Sequence, residues 1–182
     1  MKTLLFSPKY TNAKNLDVEE VGELDYFSPQ PIAKSWPKQV RIRLQGKKKP
    51  QDYFPVGPLR IVSSQFKDVC DQLEVGAEFL PIQLLAKDGS DYGQKHYALH
   101  ILDCVDCMDL ENSECTFEDD ETEVDEVLSL AIHEEKALGH HLFLVDAPEF
   151  IILASDEFAD AVAKQKLTGA VFLEPEQWSV SS

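Results

Sequence analysis

The sequence is short of several features that define familiar protein classes. Its 182 residues contain only four Cys and eight Gly. So few cysteines exclude a small disulfide-stabilised scaffold. No Walker loop, GxGxxG or GxSxG motif occurs among the glycines. The chain therefore carries no local signature of a nucleotide-binding loop or of an activated serine, and we expect no cofactor and no enzymatic activity.

Long hydrophobic runs are also missing. No stretch approaches the roughly 18 consecutive apolar residues of a membrane span. The N-terminus, MKTLLFSPKYTNAKN, has a single short apolar run, below the roughly 7–15 residues of a signal-peptide core. Hydrophobic residues nevertheless make up 43% of the chain, and a chain of this length can bury a stable core without disulfides or bound metal ions. We expect a soluble cytoplasmic protein with reduced thiols and no membrane partner.

Basic residues are absent from one long segment. Residues 96–135 contain fourteen Asp or Glu and no Lys or Arg, within a chain of formal net charge −16. Residues 34–60 show the opposite imbalance, with eight basic residues and one acid. A strongly acidic surface repels nucleic acid and membrane phosphates and attracts basic proteins. We therefore expect a protein partner and no nucleic-acid ligand.

The sequence does contain one phrase twice. SSQFKDVCDQLEVGAEFL, at residues 63–80, aligns with SDEFADAVAKQKLTGAVFL, at residues 155–173, with one single-residue gap, and a proline follows each copy. An apolar run precedes each copy. In each copy a Ser can cap a helix, a Phe can anchor it, and a Gly can end it, with Gly76 expected in the left-handed conformation. The copies predict two related β-α-β units, at about residues 59–84 and 150–174.

Most of the remaining chain is predicted to be strand or loop. The N-terminal TLLF is expected to be an edge strand, and QVRIRL alternates apolar and basic residues as a half-buried strand does. The acidic stretch at 109–126 is expected to be mostly loop. The sequence thus predicts an α+β fold, with a few helices against a mixed or mainly antiparallel sheet and an approximate internal two-fold. We expect an irregular N-terminal segment at 1–58, with one or two strands packed on the body, and one compact α+β domain at 59–182.

Cysteine and acidic residues offer candidate metal ligands. Cys104 and Cys107 form a Cys-x-x-Cys pair, and Cys115 follows. Structural zinc sites usually take four ligands from two such pairs, and only one pair is present. The alternating acids that begin at Asp119 lack the Gly and Glu that an EF-hand requires at its sixth and twelfth positions. We therefore predict no metal site and free cysteine thiols.

Two parts of the chain resemble a known bacterial family. The central VDCMD, at 105–109, is similar to that family's Val-Asp-Cys-hydrophobic-Asp motif. The family also ends with an S-[DE]-E helix, a Thr-Gly pair and an F-x-P strand. Here these are found at 155–157, at 168–169 and at 172–175, with one extra residue before the proline. Over about residues 60–176 the chain resembles the immunity proteins of polymorphic and type VI secretion toxin systems, a family formerly catalogued as a domain of unknown function.

The resemblance implies a non-enzymatic protein that binds and neutralises a secreted antibacterial toxin. The acidic segment favours a basic, nuclease-like toxin, because an acidic inhibitor can fill a basic cleft and speed association. The predicted contact residues are the acidic run and its aromatic neighbour, namely Phe117, Glu118, Asp119, Asp120, Glu121, Glu123, Asp125 and Glu126.

Three alternatives stay open. The acidic run could serve only as a solubilising loop. The chain could be a regulatory or housekeeping protein-binding module that has no toxin. It could also be a metalloprotein that uses Cys104, Cys107 and the histidines.

Overall fold

The computed structural model describes residues 1–6, 13–16, 24–45, 49–117, 124–148 and 150–177. Its strands and α-helices, in chain order, are β1 (Lys2–Phe6), β2 (Ala13–Leu16), β3 (Arg41–Leu44), β4 (Tyr53–Val56), β5 (Leu59–Ser63), α1 (Ser64–Gln72), β6 (Ala77–Leu85), β7 (His96–Ile101), β8 (Cys104–Val105), β9 (Glu114–Phe117), β10 (Val124–Ser129), β11 (Leu142–Val145), β12 (Ile152–Ala154), α2 (Asp156–Lys164) and β13 (Ala170–Leu173). These elements confirm the predicted α+β class, dominated by sheet. Each α-helix has nine residues, and no helix in the described ranges is long enough to cross a membrane.

Two large sheets enclose the two helices. The six-stranded sheet has the order β2-β3-β6-β7-β5-β4, and the five-stranded sheet has the order β13-β1-β12-β11-β8. A single buried cluster contains side chains from both sheets and both helices. At its centre, Phe66 of α1 stacks on Tyr53 of β4 at 5.3 Å between ring centroids and meets Phe158 of α2 at 5.7 Å. The helices therefore join the two sheets through one shared aromatic core.

The two sequence repeats form the same split β-α-β unit. In the first unit, β5 and β6 lie antiparallel to β7 on either side of it, and α1 connects them. In the second unit, β12 and β13 flank β1 in the same way, and α2 connects them. The registers also match, because Ala77 pairs with Ile101 as Ala170 pairs with Phe6. The predicted pair of β-α-β units is confirmed.

The repeat extends one strand further toward the N-terminus of each unit. Strand β4 pairs with β5 so that Tyr53 lies opposite Val62, and β11 pairs with β12 so that Leu142 lies opposite Ala154. Strand β1 thus takes the place in the second repeat that β7 takes in the first, although it comes from the other end of the chain. The prediction that TLLF forms an edge strand is wrong, since β1 pairs with strands on both sides.

Both helices begin with the predicted serine cap. The Oγ atom of Ser63 accepts a hydrogen bond from the Phe66 N–H at 3.3 Å, and that of Ser155 accepts one from the Phe158 N–H at 3.0 Å. Each bond satisfies one of the amide groups that a helix N-terminus leaves without an intrahelical partner. The same residue that caps each helix therefore fixes the position of its anchoring phenylalanine.

Both helices end in a Schellman motif whose left-handed residue is not glycine. Glu74 and Lys166 hold φ angles of 52° and 55° and make the backbone hydrogen bonds of that motif. The prediction that Gly76 ends α1 in this conformation is therefore wrong. A Cβ atom on Gly76 would lie 2.2 Å from a carboxylate oxygen of Asp103, so the glycine permits close approach of the turn between β7 and β8.

Each sheet has a separate cover on its outer face. Residues 24–40 pack on the six-stranded sheet through a second buried cluster. The described part of residues 105–137 packs on the five-stranded sheet through a third cluster. The expectation that 109–126 is mostly loop is wrong in part, because β9 and β10 pair as an antiparallel hairpin. The residues between these two strands lie outside the described part of the chain.

Candidate functional site

The chain between β8 and β11 forms a lobe on the outside of the five-stranded sheet. We call the described part of residues 104–138 the acidic lobe. Its two halves are joined by backbone hydrogen bonds, from the Asp109 N–H to the Ala131 carbonyl at 3.0 Å and from the His133 N–H to the Cys107 carbonyl at 2.8 Å. The β9–β10 pairing adds a second connection. The lobe is therefore a folded cover with defined surfaces.

The acidic lobe has a strongly negative surface. In the sequence, residues 104–138 contain thirteen Asp or Glu and one basic residue, Lys136. The Lys136 ammonium already lies 3.6 Å from the Asp106 carboxylate. A hydrogen bond from the Asn112 side chain holds the pKa of Asp109 below its ordinary value. The lobe therefore has a large excess of carboxyl groups over basic side chains.

The acidic lobe also exposes large apolar side chains. In the described part of the chain, five large hydrophobic residues are exposed, and four belong to the lobe. They are Leu110 at 54%, Phe117 at 48%, Leu128 at 42% and Leu138 at 74% exposure. Apolar anchors inside a charged rim are typical of surfaces that bind other proteins.

The structure places three of the eight predicted contact residues. Phe117 at the end of β9 and Asp125 on β10 are exposed, and Glu126 is half-buried. Phe117 pairs with Val124, so these three residues lie at the same end of the hairpin. The other five, Glu118, Asp119, Asp120, Glu121 and Glu123, lie outside the described residues.

The sequence did not single out the other exposed apolar residues of the lobe. Leu128 follows the buried Val127 along β10, and successive strand residues point to opposite faces. That alternation was the one available signal for its exposure. Nothing local distinguishes Leu110 or Leu138 from a core leucine, because their exposure depends on the tertiary placement of the loops that carry them.

A groove opens beside the acidic lobe, where β8 and β11 meet residues 24–40, which we call the N-terminal cover. The cavity measures about 360 Å³, and we call it the β8–β11 groove. Its lining consists of Phe27, Pro29, Cys104, Leu144, Val145, Asp146, Ala147, Pro148 and Phe150. The rings of Phe27 and Phe150 meet edge to face with centroids 5.2 Å apart. The Arg60 guanidinium lies 4.2 Å from the centroid of the Phe150 ring.

The cysteines of the Cys-x-x-Cys pair differ in environment. Cys104 is exposed, whereas Cys107 is fully buried, and burial raises the pKa of Cys107 to about 11. A thiol with a raised pKa stays protonated near neutral pH, and protonation disfavours metal ligation and redox reactivity. Among the residues that the structure describes, no group of three or more His, Cys, Asp or Glu side chains is placed to hold a metal ion.

One serine, histidine and glutamate lie together at the start of α2. His141 Nδ1 lies 2.9 Å from the Oγ atom of Ser155 and 3.9 Å from a carboxylate oxygen of Glu157. Both contacts use the same ring nitrogen, whereas a catalytic triad needs the serine and the acid on opposite nitrogens. Ser155 also caps α2. The arrangement is therefore that of a helix cap and not that of a catalytic triad.

Comparison with known proteins places the chain in one family. It matches no curated protein. A family model of immunity proteins matches residues 3–177, which is nearly the whole chain. The match includes β1, the strand that completes the second repeat, and so extends the sequence resemblance into the N-terminal segment. The chain therefore belongs to the Imm11 immunity protein family.

Proposed function

We propose that the protein binds and neutralises a cognate antibacterial toxin through its acidic lobe. Membership in an immunity protein family supports the role of inhibitor. The observation that carries the choice of surface is the coincidence of negative charge and exposed apolar side chains on one lobe. Four of the five exposed large hydrophobic residues in the described chain lie there.

The charge of the lobe favours a basic toxin of the nuclease-like kind. Carboxylates can occupy a cleft that is built to bind phosphates, and opposite charge can raise association rates to about 10⁸–10⁹ M⁻¹s⁻¹ at low salt. Apolar anchors such as Phe117 then slow dissociation, because truncating a buried aromatic anchor typically weakens the binding free energy by about 2 kcal/mol or more. Inhibition by occlusion requires no catalytic residue in the inhibitor, and the protein is not an enzyme.

The proposed contact surface is centred on the tip of the β9–β10 hairpin. Phe117, Asp125 and Glu126 frame this tip in the described structure. The sequence between the two strands adds five more acids, which we assign to the same surface. Such a protein acts in the cytoplasm of cells that make or receive a toxin delivered by a polymorphic or type VI secretion system.

The test is a binding titration against the toxin domain encoded next to the immunity gene. A double variant, Asp125→Lys with Glu126→Lys, is compared with wild type at about 50 mM and 300 mM salt. A matched control, Asp68→Lys with Asp160→Lys, makes the same change in net charge at exposed sites on the two helices. We expect the lobe variant to lose at least about tenfold in affinity, mainly in the association rate and mainly at low salt.

Each other outcome has a definite meaning. Equal losses in both double variants would attribute the effect to total charge and would overturn the assignment to the lobe. Salt-independent tight binding by every variant would keep the immunity role and move the interface elsewhere. No binding to the neighbouring toxin, combined with a stable complex with an unrelated cellular protein, would favour a regulatory binding module instead.

A further inference from the structure

We propose that the β8–β11 groove receives an arginine side chain of the toxin. This inference rests on the proposed function, since it requires a basic protein partner. It adds an anchor point outside the hairpin tip. The groove is continuous with the acidic lobe, because Cys104 begins the lobe and also lines the groove.

The groove has an exposed aromatic wall. Phe27 is 58% exposed, and it is the one exposed large hydrophobic residue of the described chain that lies outside the lobe. Its position is fixed locally, because the Asp25 carboxylate accepts a hydrogen bond from the Phe27 N–H at 3.0 Å. Nearby, His100 Nε2 lies 2.8 Å from the Gln30 carbonyl oxygen. A preorganised, exposed ring at the mouth of a groove is suited to stacking against a planar group of a partner.

Among the residues that the structure describes, Asp146 is the one charged residue that lines the groove. The Asp146 side chain is exposed and makes no hydrogen bond or ion pair with another residue of the described chain. The sheet holds its backbone in place, since the Asp146 N–H donates to the Val105 carbonyl at 3.0 Å. A partner that closed the groove with a purely apolar side chain would bury this carboxylate without compensation, at a large cost in free energy.

Arginine satisfies both features of the groove. Its guanidinium is planar, stacks on aromatic faces and donates two parallel hydrogen bonds to a carboxylate, whereas the lysine ammonium is a compact, strongly hydrated point charge. The protein itself already contains a contact of this kind, because Arg60 lies over the Phe150 ring, which lines the groove. The volume of about 360 Å³ is at the small end of ligand pockets and is large enough to admit one extended side chain.

The first experiment measures affinity for the toxin domain encoded next to the gene. The variants are Phe27→Ala, Asp146→Asn and the double variant, with Asp68→Asn as an exposed control. We expect each groove variant to weaken binding about tenfold or more. The double variant should weaken binding by less than the product of the fold-losses of the two single variants, because both residues contact the same side chain of the toxin. Unchanged thermal midpoints in the free proteins show that the variants fold.

The second experiment identifies the occupant. Each arginine of the toxin surface is replaced by lysine in turn, and one replacement should weaken binding to the wild type about tenfold. The same replacement should have little further effect on binding to the Asp146→Asn variant. In a Cys115→Ser background, N-ethylmaleimide should modify the exposed Cys104 in the free protein and be excluded from it in the complex.

The remaining outcomes overturn the proposal in distinguishable ways. Wild-type affinity in both groove variants, with Cys104 still reactive in the complex, would refute the groove site and leave the proposed function standing. Weaker binding with Phe27→Ala alone would assign the groove to an apolar side chain and refute the arginine. No binding by the wild-type protein would refute the proposed function and this inference together.

Discussion

Replacing Asp52 should destabilise the protein more than any other single exposed or half-buried carboxylate, because Asp52 links the two repeats. One carboxylate oxygen accepts a hydrogen bond from the Ser63 hydroxyl at 2.9 Å. The other accepts bonds from the N–H and the hydroxyl of Thr168, both at 2.8 Å. Ser63 caps α1 of the first repeat, and Thr168 lies in the turn that follows α2 of the second. One side chain thus holds the start of one repeat to the end of the other.

The expected cost follows from these three bonds. Hydrogen bonds to a charged group contribute about 1.5–3 kcal/mol each when buried. Asp52 is only half-buried, and water can replace part of what is lost, so we expect Asp52→Ala to lower the free energy of unfolding by about 2–4 kcal/mol. For a chain of this size, that corresponds to a fall of roughly 5–15 °C in the midpoint of thermal unfolding.

The assay is urea unfolding followed by far-ultraviolet circular dichroism, with a double-mutant cycle between Asp52→Ala and Thr168→Val. A coupling of about 1–2 kcal/mol is expected, because the two side chains share a bond. The matched control is Asp88→Ala, whose carboxylate accepts bonds from the N–H and the hydroxyl of Ser90, two residues away in the same turn. If Asp52→Ala cost no more than Asp88→Ala, or if the cycle showed no coupling, the link between repeats would carry no stability and the reasoning would be wrong.

Two further predictions concern the backbone geometry at Gly169 and the buried side chain of His96. Gly169→Ala should lower the free energy of unfolding by about 3 kcal/mol or more, because the added Cβ would lie 1.9 Å from the Tyr53 carbonyl oxygen and φ is +99°. The control is Gly93→Ala, at a φ of +79° with open space around it, which should lower the free energy of unfolding in urea by only about 1 kcal/mol. Burial lowers the pKa of His96 below the ordinary 6.5. As the pH falls, the unfolded chain therefore takes up the proton first, and the stability that the protein has above pH 6.5 is lost progressively below pH 6.5. Unfolding at about pH 7.5 and 5.5 should therefore show a smaller loss for His96→Asn than for wild type, while equal losses would contradict this assignment.

The helices and the repeats could be predicted because their signals are local. Serine caps and apolar residues spaced three and four apart depend only on neighbours along the chain. The position of β1 could not be predicted, since its partners β12 and β13 lie at the other end of the chain. The left-handed helix ends were also missed, because Glu74 and Lys166 adopt a conformation that non-glycine residues rarely adopt.

For the candidate site, the sequence predicted the charge and the structure supplied the shape. The absence of basic residues from 96–135 is visible in the sequence, and it was enough to favour a basic partner. The groove could not be predicted in the same way. Its described lining comes from Phe27 and Pro29, from Cys104, and from residues 144–148 and Phe150. The pairing of β8 with β11 and the docking of the N-terminal cover bring these residues together.

The two repeats share the core of the fold but not the segments that carry the proposed interface. The paired strands, the caps and the aromatic contact between helices occur in both repeats, so they serve the shared core. The N-terminal cover and the acidic lobe lie outside the repeated units, as do strands β2 and β3. All five exposed large hydrophobic residues of the described chain belong to these two segments, and the β8–β11 groove lies where they meet. A scaffold of this kind can change its partner by altering the two segments while the core stays constant, because binding specificity depends on the surface that a fold presents and not on the fold itself.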